Sequence, residues 1–503
     1  MDWRIACVLM AAGLARAAEP IGLFADHSDV GAVLHPGSVV YDAAKRSYSI
    51  SGSGENVWAA ADAFQFVWKK MEGDFTLTAD ISVLGQGGDP HKKAMLMARQ
   101  SLDADSAYAD VALHGVGLTS LQSRDAKGAD THEIQSNISA PKKLRLQKYG
   151  DEFTMWLAGE DGKFRFAGGS MRVPLTGAFY VGLGVCAHNK DAVETAEFRN
   201  VALDTAASGV STQVYGTLET ITVASTDRRV TYVGTPNTAS PNWTPDGASL
   251  VFSQGDKIEI VPVVGGEPKV INTGSATHLN DLHGISPDGT MLAIGDYTHG
   301  NRVFVSVVPI GGGEPRRITA ESSYCGGWSP DGKTIVYTGL RRSEFAIYTI
   351  PLAGGEESRL TNGSYFGCAE YAPDGKYIYF SSGRSNAMEI WRTLPDGSEP
   401  EQVTKDGAGN WFPHISPDGR LLAFLTQQQQ DSHFPLLAAE ITLRVMTLAD
   451  RRIRVLARLI GGQGTMPVPS WSPDSRRLAF VSYQGVPAGS IPLPEVITPA
   501  VVK

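Results

Sequence analysis

The sequence predicts an all-β protein, with an N-terminal two-sheet jelly-roll sandwich followed by a six-bladed β-propeller. Three observations carry this expectation. A Trp-Ser-Pro-Asp-Gly signature, or a close copy of it, recurs at 243–247, 285–289, 328–332, 371–375, 415–419 and 471–475. Its aspartates, Asp246, Asp288, Asp331, Asp374, Asp418 and Asp474, lie 42, 43, 43, 44 and 56 residues apart. A period in the low forties with turn chemistry and alternating strands is that of four-stranded propeller blades. Finally, the chain from Pro20 to about Leu203 lacks the signature yet keeps producing strand-like runs, which marks a separate all-β unit.

At the N-terminus, Arg4 precedes an apolar run from Ile5 to Leu14, and Ala15-Arg16-Ala17 places small residues at the −3 and −1 positions of a cleavage site. Residues 1–17 therefore read as a secretory signal peptide, since the run is far short of the roughly 20 apolar residues that span a bilayer. No transmembrane segment is expected after its removal, and the location is periplasmic or secreted. The chain carries a net charge of −9 and no Lys/Arg-rich stripe, which excludes the usual footprint of nucleic-acid binding.

Residues 18–203 form the expected sandwich, with strands in runs such as Phe64–Trp68, Phe75–Ile81, Ala94–Arg99, Ala107–Leu113, Lys143–Gln147 and Tyr180–Val185. The stretches Gly73–Ile81, Met97–Arg99 and Tyr180–Gly184 resemble the concanavalin-like (laminin-G or glucanase type) jelly roll. That resemblance implies glycan binding or cleavage on a concave sheet face. Trp58, Trp68, Arg99, Asp110, His114 and Arg124 are the candidates to decorate it. Alternation alone turns about half of all strand residues outward, so a fortuitous cluster competes with this reading. No pair of glutamates alternates along one candidate strand, which speaks against a glucanase.

Residues 204–216 are small and polar and read as a linker. The propeller then occupies 217–484, with a proline-containing tail at 485–503. Within each signature, proline presets a tight turn, aspartate bonds the backbone ahead, and glycine supplies positive φ. In the third repeat, strands follow at 333–338, 346–352 and 357–361. Strands near 217–234 have no signature before them, and the last signature is followed by one clear strand, 477–482. The two incomplete ends are expected to complete one blade and close the ring. The 56-residue interval holds an insertion, Gln427 to Leu437, in which His433 and Phe434 are candidate recognition residues.

Cys186, Cys325 and Cys368 remain after signal removal. Cys325 and Cys368 occupy equivalent places in adjacent repeats, and two free buried thiols are expected there because inner strands of neighbouring blades diverge. Function can be sought where the copies disagree. His283, Glu370 and His414 lie just before signatures in three repeats. Two imidazoles and a carboxylate on one axis would suit a divalent metal or an acid/base pair acting on a polysaccharide. No other cofactor is suggested.

Gly327–Lys333, Ile347–Pro351, Asn410–Gly419 and Val468–Asp474 resemble the TolB-type six-bladed propeller, and the likeness covers residues 217–484. It implies a scaffold of the cell envelope that binds a protein or polysaccharide partner, of the kind described as Tol-Pal or biopolymer-transport related. TolB itself has an α/β domain before its propeller, where this chain has β-strands. The channel arrangement also resembles propeller-fold uronate lyases, which implies the alternative of a polysaccharide lyase or hydrolase. Prolyl oligopeptidases carry related repeats, but no Gly-x-Ser-x-Gly motif stands in a strand-turn-helix setting here. A non-enzymatic binding protein is favoured.

Overall fold

The computed structural model describes residues 21–84, 87–159, 161–205, 212–362, 367–427 and 439–489. Among them every regular element is a strand, so the chain is all-β. Five independent four-stranded antiparallel sheets follow one another along the second half. The first comprises Thr238–Trp243, Ser249–Gln254, Lys257–Pro262 and Lys269–Val270. The fifth comprises Asn410–Ile415, Leu421–Thr426, Ala439–Thr447 and Ile453–Gly461. Each signature closes the hairpin between the first and second strand of its sheet, which is the propeller arrangement.

The signature turn is a hydrogen-bonded unit. The Ser329 hydroxyl donates to the Asp331 carboxylate over 2.6 Å and accepts the Thr334 amide at 2.9 Å, while Asp331 accepts the Lys333 amide at 3.1 Å. The same side-chain bond joins Thr244 to Asp246, Ser286 to Asp288, Ser416 to Asp418 and Ser472 to Asp474. These bonds hold Asp246, Asp288 and Asp331 below the usual carboxylate range. The closing glycines sit in left-handed conformation, Gly332 at φ 68°. In the last copy Ser475 takes that conformation at φ 61°, and its hydroxyl accepts the Asp418 amide of the neighbouring turn at 3.0 Å.

The ends of the repeat array meet as expected, but in a larger sheet. Arg477–Pro487 pairs antiparallel with Thr212–Thr222 along eleven registered positions, from Thr212↔Pro487 to Thr222↔Arg477. Thr212–Thr222 pairs in turn with Arg228–Gly234. The outer edge of Arg228–Gly234 is then covered by His132–Gln135 of the N-terminal unit, in parallel, with Ile134 opposite Arg228 and Gln135 opposite Arg229. Five free-standing blades therefore replace the six expected, because the strands of the last signature belong to a ten-stranded sheet shared with the N-terminal unit. An uncovered strand edge exposes unpaired backbone groups, and this pairing removes one. Residues 212–216, expected in the linker, are the first half of this ring-closing strand.

The N-terminal strands form two sheets facing one core. One continues the ten-stranded sheet through Tyr108–His114, Lys93–Arg99, Phe179–Cys186 and Phe64–Met71; the other is eight-stranded and centred on Phe75–Leu84 and Asn189–Thr205. Leu96, Val111, Leu121 and Leu183 of the first pack against Leu77, Leu144, Met155 and Phe198 of the second, all fully buried. Alternation along each strand places these residues on the shared face. Truncating one of them, as in Leu144→Ala, is expected to cost about 2–5 kcal/mol.

The fourth signature has Ala372 in place of the hydroxyl residue, so its turn lacks one partner. We expect Ala372→Ser to stabilise the protein and Ser329→Ala to destabilise it, each by about 1 kcal/mol, read as opposite shifts of the urea unfolding midpoint.

Candidate functional site

The inner strands place two of the three axial candidates together. Glu370 opens the short strand Glu370–Tyr371, and His414 lies on Asn410–Ile415 of the next sheet. His414 Nδ1 stands 2.6 Å from Glu370 Oε2, and its Nε2 is 2.9 Å from the carbonyl oxygen of Met466. A carbonyl only accepts, so Nε2 carries a proton and donates it. The His414 carbonyl in turn accepts the Trp471 indole at 2.9 Å, as the Gly284 carbonyl accepts that of Trp328. The histidine thus ties three successive inner segments together, and both of its ring nitrogens are engaged.

His283 is elsewhere. It is buried against the preceding sheet, with Nδ1 3.4 Å from the Ser253 hydroxyl and Nε2 3.4 Å from the Val251 carbonyl. Burial pulls its imidazole down to about 4. Among the described residues no group of three or more His, Cys, Asp or Glu side chains is placed to hold a metal ion, so the expected three-residue set is not assembled. The reason is phase: His283 stands two residues before Ile285 of its signature and His414 one before Ile415, in unbroken register, so alternation turns them to opposite sides of their strands.

An apolar contact that alternation did not reveal lies among the inner strands. Leu282 and Val468 are buried together, with Tyr324 and Cys368 packed against them, so four inner segments meet through apolar side chains. Cys368 is disulfide-bonded, and Cys186 is the free thiol among the described residues; the Cys325 side chain lies outside them. The expectation of two free thiols is overturned because inner strands of adjacent sheets approach instead of diverging. A methyl group built on Gly327 would stand 2.7 Å from the Ala369 carbonyl oxygen.

On the sandwich, Arg99, Asp110, His114 and Arg124 do share one sheet face, but it is covered. The hairpin of Val57–Trp58 and Ala61–Asp62 lies over it. Arg124 donates to Asp62 over 2.8 and 3.0 Å and to the Ala59 carbonyl over 2.7 and 3.0 Å, and Arg99 reaches Asp62 at 3.2 Å. All three side chains are fully buried. Burial raises the Asp62 carboxyl despite its two guanidinium partners. Beneath the hairpin, Lys93 donates to the Val57 carbonyl at 2.8 Å and to Gln122 at 3.1 Å, and Trp58 lies 5.3 Å from its ammonium.

Asp110 and His114 are also shut in. Both carboxyl oxygens of Asp110 and Nδ1 of His114 lack a hydrogen-bond partner. Burial pushes Asp110 well up and His114 well down. Trp68 is half-buried at the other end of the face, edge-on to Tyr180 at 4.8 Å. The concave face is therefore closed where an open one was expected, because its buried cations satisfy the hairpin's carbonyls and carboxylate. His433 and Phe434 lie outside the described residues.

The fold and these sites define a propeller-centred all-β protein whose inner strands are locked to one another. The sequence profile of the TolB β-propeller domain matches residues 284–450. An uncharacterised protein of Agrobacterium fabrum is 36% identical over 247 residues, 48% of this chain and 84% of that relative. A solved structure from Agrobacterium tumefaciens, described as a TolB candidate, is 36% identical and superposes with a TM-score of 0.52, over 55% of this chain and all of that one. The chain belongs to the TolB β-propeller family.

Two outcomes test the buried groups. Asp62→Ala leaves two buried guanidiniums unpaired and should cost about 3–5 kcal/mol in urea unfolding. His283 has a depressed folded-state value, so its contribution to stability is complete above its ordinary 6.5 and is lost as pH falls from there toward about 4. His283→Gln should therefore flatten the loss of unfolding free energy over that window, by about 3 kcal/mol.

Proposed function

We propose that this protein is an exported binding scaffold that docks a protein or polysaccharide partner in the cell envelope. The observation that carries this reading is the engagement of the polar groups on the inner strands. His414 has no free ring nitrogen, His283 is held inside the wall between two sheets, and Leu282 and Val468 meet between the inner strands. Catalysis needs a proton-transfer group within reach of a bound substrate, and the axial candidates are directed at the protein itself. A TolB-type propeller so built offers outer surfaces and clefts for recognition.

The reading includes several finer parts. Residues 1–17 direct export and are removed, which leaves the mature protein in the periplasm or medium. The three strands Arg477–Pro487, Thr212–Thr222 and Arg228–Gly234 serve as a sixth blade. The N-terminal pair of sheets acts as a concanavalin-like module, which assists recognition through its outer surface, since its concave face is covered.

Expression with the native leader should yield an exported chain that begins at Ala18, as read by N-terminal sequencing. Photo-crosslinking in cells should then capture a discrete envelope partner, and chelation should leave the capture unchanged. Release of unsaturated product from uronate-rich polysaccharide, lost in a folded His414→Gln variant, would sink the scaffold reading and favour the lyase.

A further inference from the structure

The fifth blade differs from the other four at its outer edge. Their outermost strands are two residues long: Lys269–Val270, Arg316–Arg317, Ser358–Arg359 and Glu401–Gln402. That of the fifth blade, Ile453–Gly461, is nine residues long. It pairs with Ala439–Thr447 on one side and ends its sheet on the other. Among the described residues no backbone hydrogen bond joins that free side to another element. A long open edge presents a row of unpaired amides and carbonyls, which natural proteins normally shorten or cover.

Val455 to Ile460 form one wall of a cleft of about 1630 Å³, between the fifth blade and the N-terminal unit. The opposite wall carries Asp125, Asp151, Glu152 and Arg172. Arg172 is paired with Asp151 and with Glu440. Among the described residues Asp125 and Glu152 have no cationic partner within 4 Å. The free charge on that wall is therefore negative, in a chain of net charge −9. On the strand itself Val455 is 44% exposed, an apolar contact point at the edge.

We infer that this cleft takes an extended segment of a partner protein, which adds as a fifth strand to Ile453–Gly461. Its backbone is recognised by the open edge. Side chains of the added strand alternate between the two faces of the extended sheet, with Lys or Arg on the face toward Asp125 and Glu152 and apolar residues on the other. Strand addition draws affinity from main-chain hydrogen bonds and specificity from alternate side chains, and carboxylates across the cleft steer a cationic segment toward it. The inference rests on the scaffold reading above and names the surface and the partner chemistry.

The probe is a fluorescein-labelled octapeptide of alternating Val and Lys, titrated against the full chain by anisotropy, with hydrogen exchange followed at those amides of 455–460 that point away from Ala439–Thr447. The expected result is saturable binding with at least tenfold slower exchange of those amides. A Val/Glu peptide, or a Val/Lys peptide N-methylated at every second residue, should bind at least tenfold more weakly. The double variant Asp125→Asn/Glu152→Gln, both at the surface, should weaken Val/Lys binding at least tenfold with an unchanged melting temperature. Equal binding of the N-methylated peptide, no binding at all, or protection of those outward amides already present in the free protein would each overturn the inference. The peptide assay needs no envelope partner, so an envelope protein crosslinked at another surface would leave the scaffold reading standing while this one fell.

Discussion

The constraint on which the rest of the structure depends is the pairing of Thr212–Thr222 between two strands from opposite ends of the repeat array. On one side it holds Arg477–Pro487 over eleven positions, and on the other it holds Arg228–Gly234. Without it the array would be an open arc with two unpaired edges. The same strand leads directly from the N-terminal unit, whose His132–Gln135 covers the remaining edge. Closure of the ring and attachment of the sandwich are one event, not two. The buried ion pair of Arg228 with Glu219, at 2.7 Å, lies within this sheet. Breaking either partner would strand a charge at the seam.

Polar residues in this molecule are mostly spent on holding segments together. Asp62 with Arg99 and Arg124 clamps a hairpin, His414 with Glu370 joins inner segments, and the signature hydroxyls and aspartates staple turns. Buried ion pairs of this kind contribute little net stability over apolar packing but penalise any arrangement that separates them. They fix which segment meets which, while the apolar clusters between sheets supply the driving force.

Much of the fold was legible because its determinants are local. The signature sets a hairpin through residues within six positions of one another, and alternation after it sets the strands. The complementarity of 217–234 and 477–482 could be read because each was an unfinished blade. What resisted reading is non-local or irregular. The parallel pairing at Ile134 and Gln135 spans only two registered residues and leaves no local pattern. Inner strands carry register irregularities, between Ala239 and Asn242, Leu279 and His283, Tyr324 and Gly327, and Trp411 and His414. Ser240 and Phe412 have positive φ within them. His283 stands one position out of phase with His414 relative to its signature, so its side chain turns to Ser253 and Val251 of the preceding sheet. Alternation also tells which side a residue faces and not what covers that side, so the sandwich face of Arg99, Asp110 and Arg124 read as open.

The ring-closing pair also dictates an order of assembly. Thr212 and Pro487 become partners only after nearly the whole chain is available, and contacts of such sequence separation form slowly because loop-closure entropy must be overcome first. The five blades are built of short-range hairpins and can form beforehand. Until the last strand arrives, Thr212–Thr222 stands as an open template beside a nearly finished ring. The final strand therefore hides a template: until Arg477–Pro487 pairs with it, Thr212–Thr222 keeps an adhesive edge.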